Sequence, residues 1–232
     1  MEIVIAKHYC GPSDSGNGGY TAGLFAKQLP FAAEVTLRIP PPLDQPLTVK
    51  INDNSAQLLD GETLVAEAKE RALAIAEVKL PNLPTLAEAT ASSKNYLGFS
   101  AAPFHNCFVC GASRKPGEGL NIYAGPVAEK QVAAPWIPTT NLSSDGQFID
   151  TEYVWSALDC PGAWSVINSS EVIVLGRFAV TMLEQLPLHQ KYIACGWSID
   201  RDGRKIYTGT SISDDNGKIY AFAKGIWIAL KQ

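Results

Sequence analysis

The sequence lacks the features that mark nucleic-acid-binding, membrane and exported proteins. It contains no run of lysine or arginine and has a formal net charge of −4, so it offers no basic surface to nucleic acid or to an anionic membrane. No apolar segment is long enough to span a bilayer. The first residues, MEIVIAKHY, alternate like a strand and carry Glu2 in place of a basic leader, so we expect a cytoplasmic protein.

Cysteine and histidine are scarce. Five cysteines are scattered over 232 residues, an odd number in a chain long enough to bury a core, so we expect reduced thiols instead of a disulfide framework. His105, Cys107 and Cys110 form an H-x-C-x-x-C segment that suggests zinc. A structural zinc site needs four ligands, however, and Cys160 and the other histidines are isolated along the sequence. We therefore expect no metal and no cofactor.

A pair of glycines precedes a short apolar helix in the segment SGNGGYTAGLFA, residues 15–26. A phosphate-binding loop would need Lys and then Ser or Thr after the last glycine, whereas Tyr20 and Thr21 follow Gly19. This excludes a nucleotide site. Two interpretations remain: a tight turn, or a helix N-terminus whose free N–H groups hold an anion or a carbonyl oxygen that becomes negative during reaction.

The hydrophobic pattern divides the chain at a stretch rich in Pro, Ala and Ser. We predict a first unit over 1–80, a linker over 81–104 and a second unit over 105–232. Both units have the order strand, loop, helix, strands. A helix covered by an antiparallel sheet is an α+β arrangement. The segment 63–77 is predicted as a long strand, although its composition also suits a helix.

The clearest strands close the chain. YIACGWSID, KIYTGTSIS and IYAFAKGIWIAL alternate, are rich in aromatic and β-branched residues, and are joined by RDGR and DDNG turns, so they predict an antiparallel meander. The remaining predicted strands cover 2–6, 35–39, 47–52, 56–59, 120–124, 132–136 and 170–183, and the predicted helices cover 20–28 and 151–164.

The repeated order of elements, with NCFVCGASRKPGEGLNIYAG (106–125) followed by VWSALDCPGAW (154–164), resembles double hotdog proteins of the thioesterase superfamily. These segments are similar to those of acyl-CoA thioesterases of the phenylacetate-pathway type. The resemblance implies tandem hotdog units, each an antiparallel sheet wrapped around one central helix, that form an intramolecular pseudo-dimer. It also implies a small-molecule thioester or acyl ligand and a homodimer.

A fold does not fix a function, so two classes stay open. The first is hydrolysis of an acyl-CoA or related thioester. The second is binding of acyl-CoA or another small molecule without turnover. A dehydratase is disfavoured, because that hotdog chemistry resembles a His and acid pair and neither predicted helix contains His.

Single-unit relatives have a helix that begins His-Gly-Gly, with an Asp seven residues after the second glycine. The first half of this chain matches the helix start with Asn17, Gly18 and Gly19, but has Asn in the His position. Ala26 stands where the pattern has Asp. The first half therefore supplies the glycines without the acid.

The second half supplies the acid without the glycines. Asp159 matches the Asp of the pattern, and Glu152 stands at the second glycine. If the halves pair like two hotdog subunits, Gly18 and Gly19 face Asp159 in one complete site, and the other site is degenerate. The resemblance then implies that Asp159 is the general base or the nucleophile.

The resemblance also implies that the N–H groups of Gly18, Gly19 or Tyr20 hold the oxyanion. Asn17 is either a helix N-cap or an amide that orients the substrate. Asp159 itself has an alternative role, since Asp-x-Pro-Gly is also a way to end a helix.

The neighbours of these residues are open to similar alternatives. Glu152 is an alternative acid at the degenerate site or an ordinary acid in the first turn of a helix. Trp155 flanks Asp159 in the predicted helix. Cys160 is a nucleophile or a small buried hydrophobic residue, and without a nearby His the second interpretation is favoured.

Overall fold

The strands of the described chain join one antiparallel sheet, as seen in a computed structural model that describes residues 1–101, 104–167 and 171–230. The strands are β1 (Glu2–Val4), β2 (Ala33–Leu37), β3 (Pro46–Ile51), β4 (Ser55–Asp60), β5 (Thr63–Glu70), β6 (Gly125–Ala128), β7 (Gln131–Trp136), β8 (Ile173–Met182), β9 (Tyr192–Asp202), β10 (Lys205–Ser213) and β11 (Ile219–Ala229). The helices are α1 (Gly18–Ala26), α2 (Leu86–Ser93), α3 (Gly98–Ala101), α4 (Thr151–Ala157) and α5 (Cys160–Trp164). Within these ranges no helix is long and apolar enough to cross a membrane.

The strand order shows an internal duplication. Across the sheet it is β1-β3-β4-β5-β2-β8-β11-β10-β9-β7-β6. The first half thus has the order β1-β3-β4-β5-β2. Read from the opposite edge, the second half has the corresponding order β7-β9-β10-β11-β8, with β6 added outside. The halves meet where β2 pairs antiparallel with β8, Val35 lying opposite Phe178. The predicted pseudo-dimer with one continuous sheet is confirmed.

The two halves also meet through their helices, because α1 packs against α4 and against the central strands β2 and β8. Two glycines permit this close approach. A Cβ atom at Gly23 would lie 2.6 Å from Trp155 Cβ, and one at Gly19 would lie 2.5 Å from Asp159 Cβ. Carbon atoms in contact prefer about 3.5–4.0 Å. The glycines of α1 therefore allow the helix of one half to touch that of the other.

The predicted helix over 151–164 is interrupted. It consists of α4 and α5, with Leu158 and Asp159 between them. Pro161 lies in the first turn of α5. Proline lacks an N–H donor and its ring clashes with the carbonyl four residues earlier, which disfavours a continuous helix here.

The strand predicted over 63–77 is too long, and the strand predicted over 120–124 is wrong. The strand predicted over 63–77 ends at Glu70, which pairs with Ala33 at the start of β2, and a 3-10 helix follows at Ile75–Val78. The segment 120–124 is not a strand, because its N–H groups donate to the loop that precedes it. The bonds run from Leu120 to Phe108 O and from Ile122 to Val109 O, and the strand itself is β6.

The predicted linker contains a helix, α2, that begins at a capping box. The Thr85 side chain accepts from the Glu88 N–H, and the Glu88 carboxylate accepts from the Thr85 N–H. The unit boundaries at 80 and 105 stay predictions. Residue 170, the first of the strand predicted over 170–183, lies outside the described residues, and that strand is β8.

Candidate active site

The Asp159 side chain extends from the α4–α5 break to the first turn of α1. Its Oδ2 atom accepts hydrogen bonds from the Gly19 N–H at 3.0 Å and from Asn17 Nδ2 at 2.9 Å. Asn17 in turn caps α1, because its Oδ1 accepts from the Tyr20 N–H at 2.8 Å. A carboxyl group of the second half thus lies at a helix N-terminus of the first half, where the helix dipole favours negative charge.

Asp159 is buried, with 3% of its surface exposed. Burial raises the pKa of its carboxyl group from 3.8 to about 7, although the hydrogen bonds from Gly19 and Asn17 favour the ionised form. Its second oxygen, Oδ1, has no hydrogen-bond partner among the described residues. A carboxyl group with a pKa near neutrality and a free oxygen is suited to accept a proton.

A cavity of about 330 Å³ lies beside this carboxyl group, and Asp159 is part of its wall. Small-molecule sites commonly measure roughly 300–1,000 Å³ and are mostly apolar. Both halves contribute apolar residues to this wall, among them Leu37, Ile39, Pro41, Trp164, Leu175 and Trp227. The cavity therefore has the size and the lining of a site for a small apolar group.

The three N–H groups assigned to an oxyanion differ in their availability. Those of Gly19 and Tyr20 donate to Asp159 and Asn17, so both are occupied. Gly18 is the first residue of α1, where an N–H has no acceptor within the helix. In the described part of the chain the Gly18 N–H also has no backbone or side-chain acceptor outside the helix. Gly18 also lines the cavity with Asn17 and Asp159, so its N–H is the available donor at this position.

Tyr20 and Trp155 contribute to packing and are absent from the cavity wall formed by the described residues. The Tyr20 ring stacks on Tyr9 with ring centroids 4.0 Å apart. The Trp155 ring packs edge-on against Phe178 at 5.8 Å, and its Cβ faces Gly23. The Tyr20 stack lies within the first half, whereas Trp155 packs against Gly23 of α1 across the interface of the halves.

An ion pair occupies the opposite end of the α1–α4 contact. Lys27 Nζ lies 3.0 Å from each carboxylate oxygen of Glu152. The Glu152 side chain is 9% exposed and that of Lys27 is 41% exposed. Among the residues described, neither belongs to the cavity wall that contains Asp159. Glu152 therefore has a charged partner and lies away from the candidate site.

Three cysteines lie in the cavity wall with Asp159. The Sγ atoms of Cys107, Cys110 and Cys160 all lie within 4.8 Å of one another, and those of Cys107 and Cys160 are 3.7 Å apart. All three residues are buried, whereas His105 is exposed. The inference that Cys160 is isolated from the C-x-x-C segment is wrong, because the fold brings α5 against the loop that carries Cys107 and Cys110.

No protein-family model and no curated protein matches this chain. Solved structures do. A candidate thioesterase from Novosphingobium aromaticivorans is similar with a TM-score of 0.65 at 12% identity, over 100% of this chain and 95% of that one. A hot dog fold protein of unknown function from Alicyclobacillus acidocaldarius has a TM-score of 0.63 at 10% identity, over 100% and 93%.

The tesB protein of Mycobacterium avium subsp. paratuberculosis is also similar, with a TM-score of 0.60 at 13% identity over 95% of this chain and 89% of that one. These structures match both halves of this chain at once. The tandem hotdog fold that the sequence resemblance implies is therefore confirmed. At such low identity the likeness concerns the fold, so the chemistry has to be argued from the site itself.

Proposed function

We propose that the protein hydrolyses an acyl-CoA or a related thioester at the site between α1 and the α4–α5 break. The observation that carries this proposal is the buried Asp159 carboxyl group, which lines an apolar cavity formed by both halves and has one oxygen without a hydrogen-bond partner among the described residues. The general activity also agrees with the description of the Novosphingobium aromaticivorans neighbour as a candidate thioesterase.

In the proposed reaction the thioester carbonyl lies against the first turn of α1, and its oxygen accepts from the Gly18 N–H. Asp159 Oδ1 takes a proton from a water molecule while that water attacks the carbonyl carbon. The C–S bond then breaks, and the leaving thiolate receives the proton from Asp159. A general base contributes roughly 10²–10⁴ in rate, and one oxyanion donor roughly 3–4 kcal/mol.

The ionised carboxylate also supports a second route, in which Asp159 attacks the carbonyl carbon itself. The product is a mixed anhydride and a free thiolate, and water then opens the anhydride to regenerate Asp159. Hydrolysis in ¹⁸O-labelled water under single-turnover conditions identifies the second route when water attacks the aspartyl carbon, since attack on the acyl carbon labels only the acid product, as the general-base route does. Label enters the Asp159 carboxyl group if water attacks the anhydride on the aspartyl carbon, and the general-base route never labels it.

Binding of an acyl ligand without turnover is the second candidate, and the hydrogen bonds at Asp159 favour it. The Gly19 N–H and the Asn17 amide both donate to Oδ2, and Asn17 stands where the related pattern has His. A ligand carbonyl would therefore meet fewer free donors than the paired glycines suggest. In that case acyl-CoA should raise the melting temperature of the protein without being consumed.

The deciding experiment compares two buried carboxyl groups at opposite ends of the helix pair. Thiol release from a panel of acyl-CoA substrates is measured for the wild type, Asp159→Asn and Glu152→Gln. We expect Asp159→Asn to lose at least roughly 10²-fold in kcat, because a near-isosteric change removes the base. Glu152→Gln should stay close to the wild type. Equal or reversed losses would refute the assignment of Asp159.

Gly19→Val tests the same site from the opposite helix. Its side chain would enter the space of Asp159, since even a Cβ atom there lies 2.5 Å from Asp159 Cβ, so turnover should be lost.

Association of two chains remains a prediction, which light scattering of the purified protein tests.

A further inference from the structure

We propose that Cys107, Cys110 and Cys160 form a binding site for a thiophilic metal ion and that Zn²⁺ is the ion they fit. The three Sγ atoms lie within 4.8 Å of one another. Two sulfur ligands of a tetrahedral zinc ion are about 3.8 Å apart when the Zn–S bond is about 2.3 Å. The distance of 3.7 Å between Cys107 and Cys160 already meets this value. The site shares a cavity wall with Asp159, but its argument does not use the proposed hydrolysis.

The turn that carries Cys107 and Cys110 is held by its own backbone. The Gly111 N–H donates to Cys107 O at 2.9 Å, and a Cβ atom at Gly111 would lie only 2.5 Å from that oxygen. Glycine therefore allows the chain to fold back at this point. Two cysteines separated by two residues are a common pair of zinc ligands.

Cys160 joins this pair from a distant part of the sequence. It is the first residue of α5, next to the α4–α5 break. Asn17 adds a contact from the first half, because its Nδ2 lies 3.8 Å from Cys107 Sγ. Such N–H groups around a metal site stabilise the negative charge of thiolate ligands. A bound ion would thus link the 106–125 segment to α5 beside the interface of the two halves.

The coordination chemistry fits an ion that retains one exchangeable ligand. Three thiolates occupy three of the four positions of a tetrahedral ion, and the thiols line a cavity through which an ion and a water molecule can enter. Within the described residues the close group consists of these three thiols. Each thiol loses its proton on binding, so uptake of Zn²⁺ releases up to three protons to solvent.

A disulfide would involve only two of the three thiols, whereas a metal ion would bind all three. The disulfide would join two sulfur atoms at about 2.05 Å and leave the third thiol without a role. The arrangement of three thiols around a common centre is what a metal ion requires. Soft thiolate ligands also select zinc or copper(I) over magnesium and calcium.

The metal content of the full chain, purified under reducing conditions from zinc-supplemented cells, gives the first test. We expect about one zinc ion per chain in the wild type, as in a site with three protein ligands. Cys160→Ser should lower this content at least about tenfold, since it removes one of those ligands. Cys195→Ser is the matched control, because Cys195 is buried on β9 outside the cluster, and it should keep the zinc of the wild type.

A second measurement on the wild type does not depend on the folding of a variant. Metal-free protein is titrated with Co²⁺ or Cd²⁺ under reducing conditions. We expect a thiolate-to-metal charge-transfer band that saturates at one ion per chain.

The proposal is overturned if the wild type contains no zinc and develops no such band while all five thiols remain reactive on denaturation. It is equally overturned if only three reactive thiols are found before reduction, since two are then joined in a disulfide, or if folded Cys160→Ser keeps its zinc. Metal content and the charge-transfer band are measured without a thioester substrate. Failure here is therefore distinguishable from failure of the proposed hydrolysis.

Discussion

Replacing Asp159 by Asn should stabilise the protein increasingly as the pH rises. Burial raises the pKa of Asp159 from 3.8 to about 7, so near pH 5 the native state holds a proton that the unfolded state has released. The contribution of this proton to the free energy of unfolding is complete below the pKa that Asp159 has in the unfolded state. It is lost as the pH rises through the pKa of the folded state. The asparagine variant has no ionisation at this position, so it escapes the loss.

The size of the effect follows from the two pKa values. A rise from 3.8 to about 7 corresponds to about 4 kcal/mol, of which about 3 kcal/mol develops between pH 5 and pH 8. The absolute difference between variant and wild type also includes hydrogen bonding, because the variant's amide oxygen can still accept from Gly19 and Asn17. Its amide NH₂ replaces Oδ1, for which the described residues offer no partner. The change of the difference with pH therefore isolates the ionisation.

Urea unfolding followed by tryptophan fluorescence measures this quantity at several pH values from 5 to 8. Metal-free protein in reductant is used, so that no ion influences the carboxyl group. Asp145→Asn is the control. Hydrogen bonds from the N–H groups of Phe148 and Gln147 lower the pKa of Asp145, so its contribution is present above the unfolded pKa and constant over this range.

The result that would refute this reasoning is a difference that stays constant or falls from pH 5 to pH 8. It would mean that the carboxylate is stabilised by the N-terminus of α1 and acts as a cap for that helix. Lost turnover in Asp159→Asn would then reflect a displaced helix. A growing difference together with lost turnover is the combination expected of a catalytic carboxylate that the fold holds at a cost in stability.

Three further predictions concern packing, charge and metal. Gly23→Ala should lower the free energy of unfolding by about 2 kcal/mol and the melting temperature by about 4–8 °C. The reason is that overpacking against Trp155 exceeds the gain in helix propensity. A stabilised variant would contradict this. Lys27→Met should lower the free energy of unfolding, measured in urea, by about 1–2 kcal/mol, because it leaves Glu152 without its partner. Adding Glu152→Gln should restore most of this free energy. No recovery would show that the loss comes from elsewhere. A chelator should lower the melting temperature of the zinc-loaded wild type but not that of Cys160→Ser, and equal shifts would place the metal elsewhere.

The strand pattern could be read from the sequence wherever alternation and turns agree. The meander of β9, β10 and β11 is such a case, since its residues alternate and its turns contain Asp-Gly and Asn-Gly. The segments 63–77 and 120–124 show where this information ends. Whether an alternating or apolar segment pairs as a strand depends on a partner strand, and the local sequence does not contain that partner.

The contacts within the site were harder to predict from the sequence than the strands. The resemblance placed Gly19 opposite Asp159, whereas the residues alone also allowed a helix end. The local sequence carries no signal that Gly23 has to admit Trp155, or that Cys160 lies against Cys107. Such contacts join residues that are more than fifty positions apart, and only the packing of the two halves determines them.

The joining of two hotdog units in one chain explains why the two ends of the helix pair differ. In a dimer of identical units, two-fold symmetry repeats every contact, so a buried carboxyl group at one end would be matched at the other. Within a single chain each half can change by itself. Gly19 and Asp159 meet at one end, where ionisation of the carboxyl group opposes folding. Lys27 and Glu152 meet at the other, where opposite charges neutralise each other. The duplicated fold thus places the destabilising carboxyl group at one end of the helix pair, and the ion pair at the other end stabilises the contact.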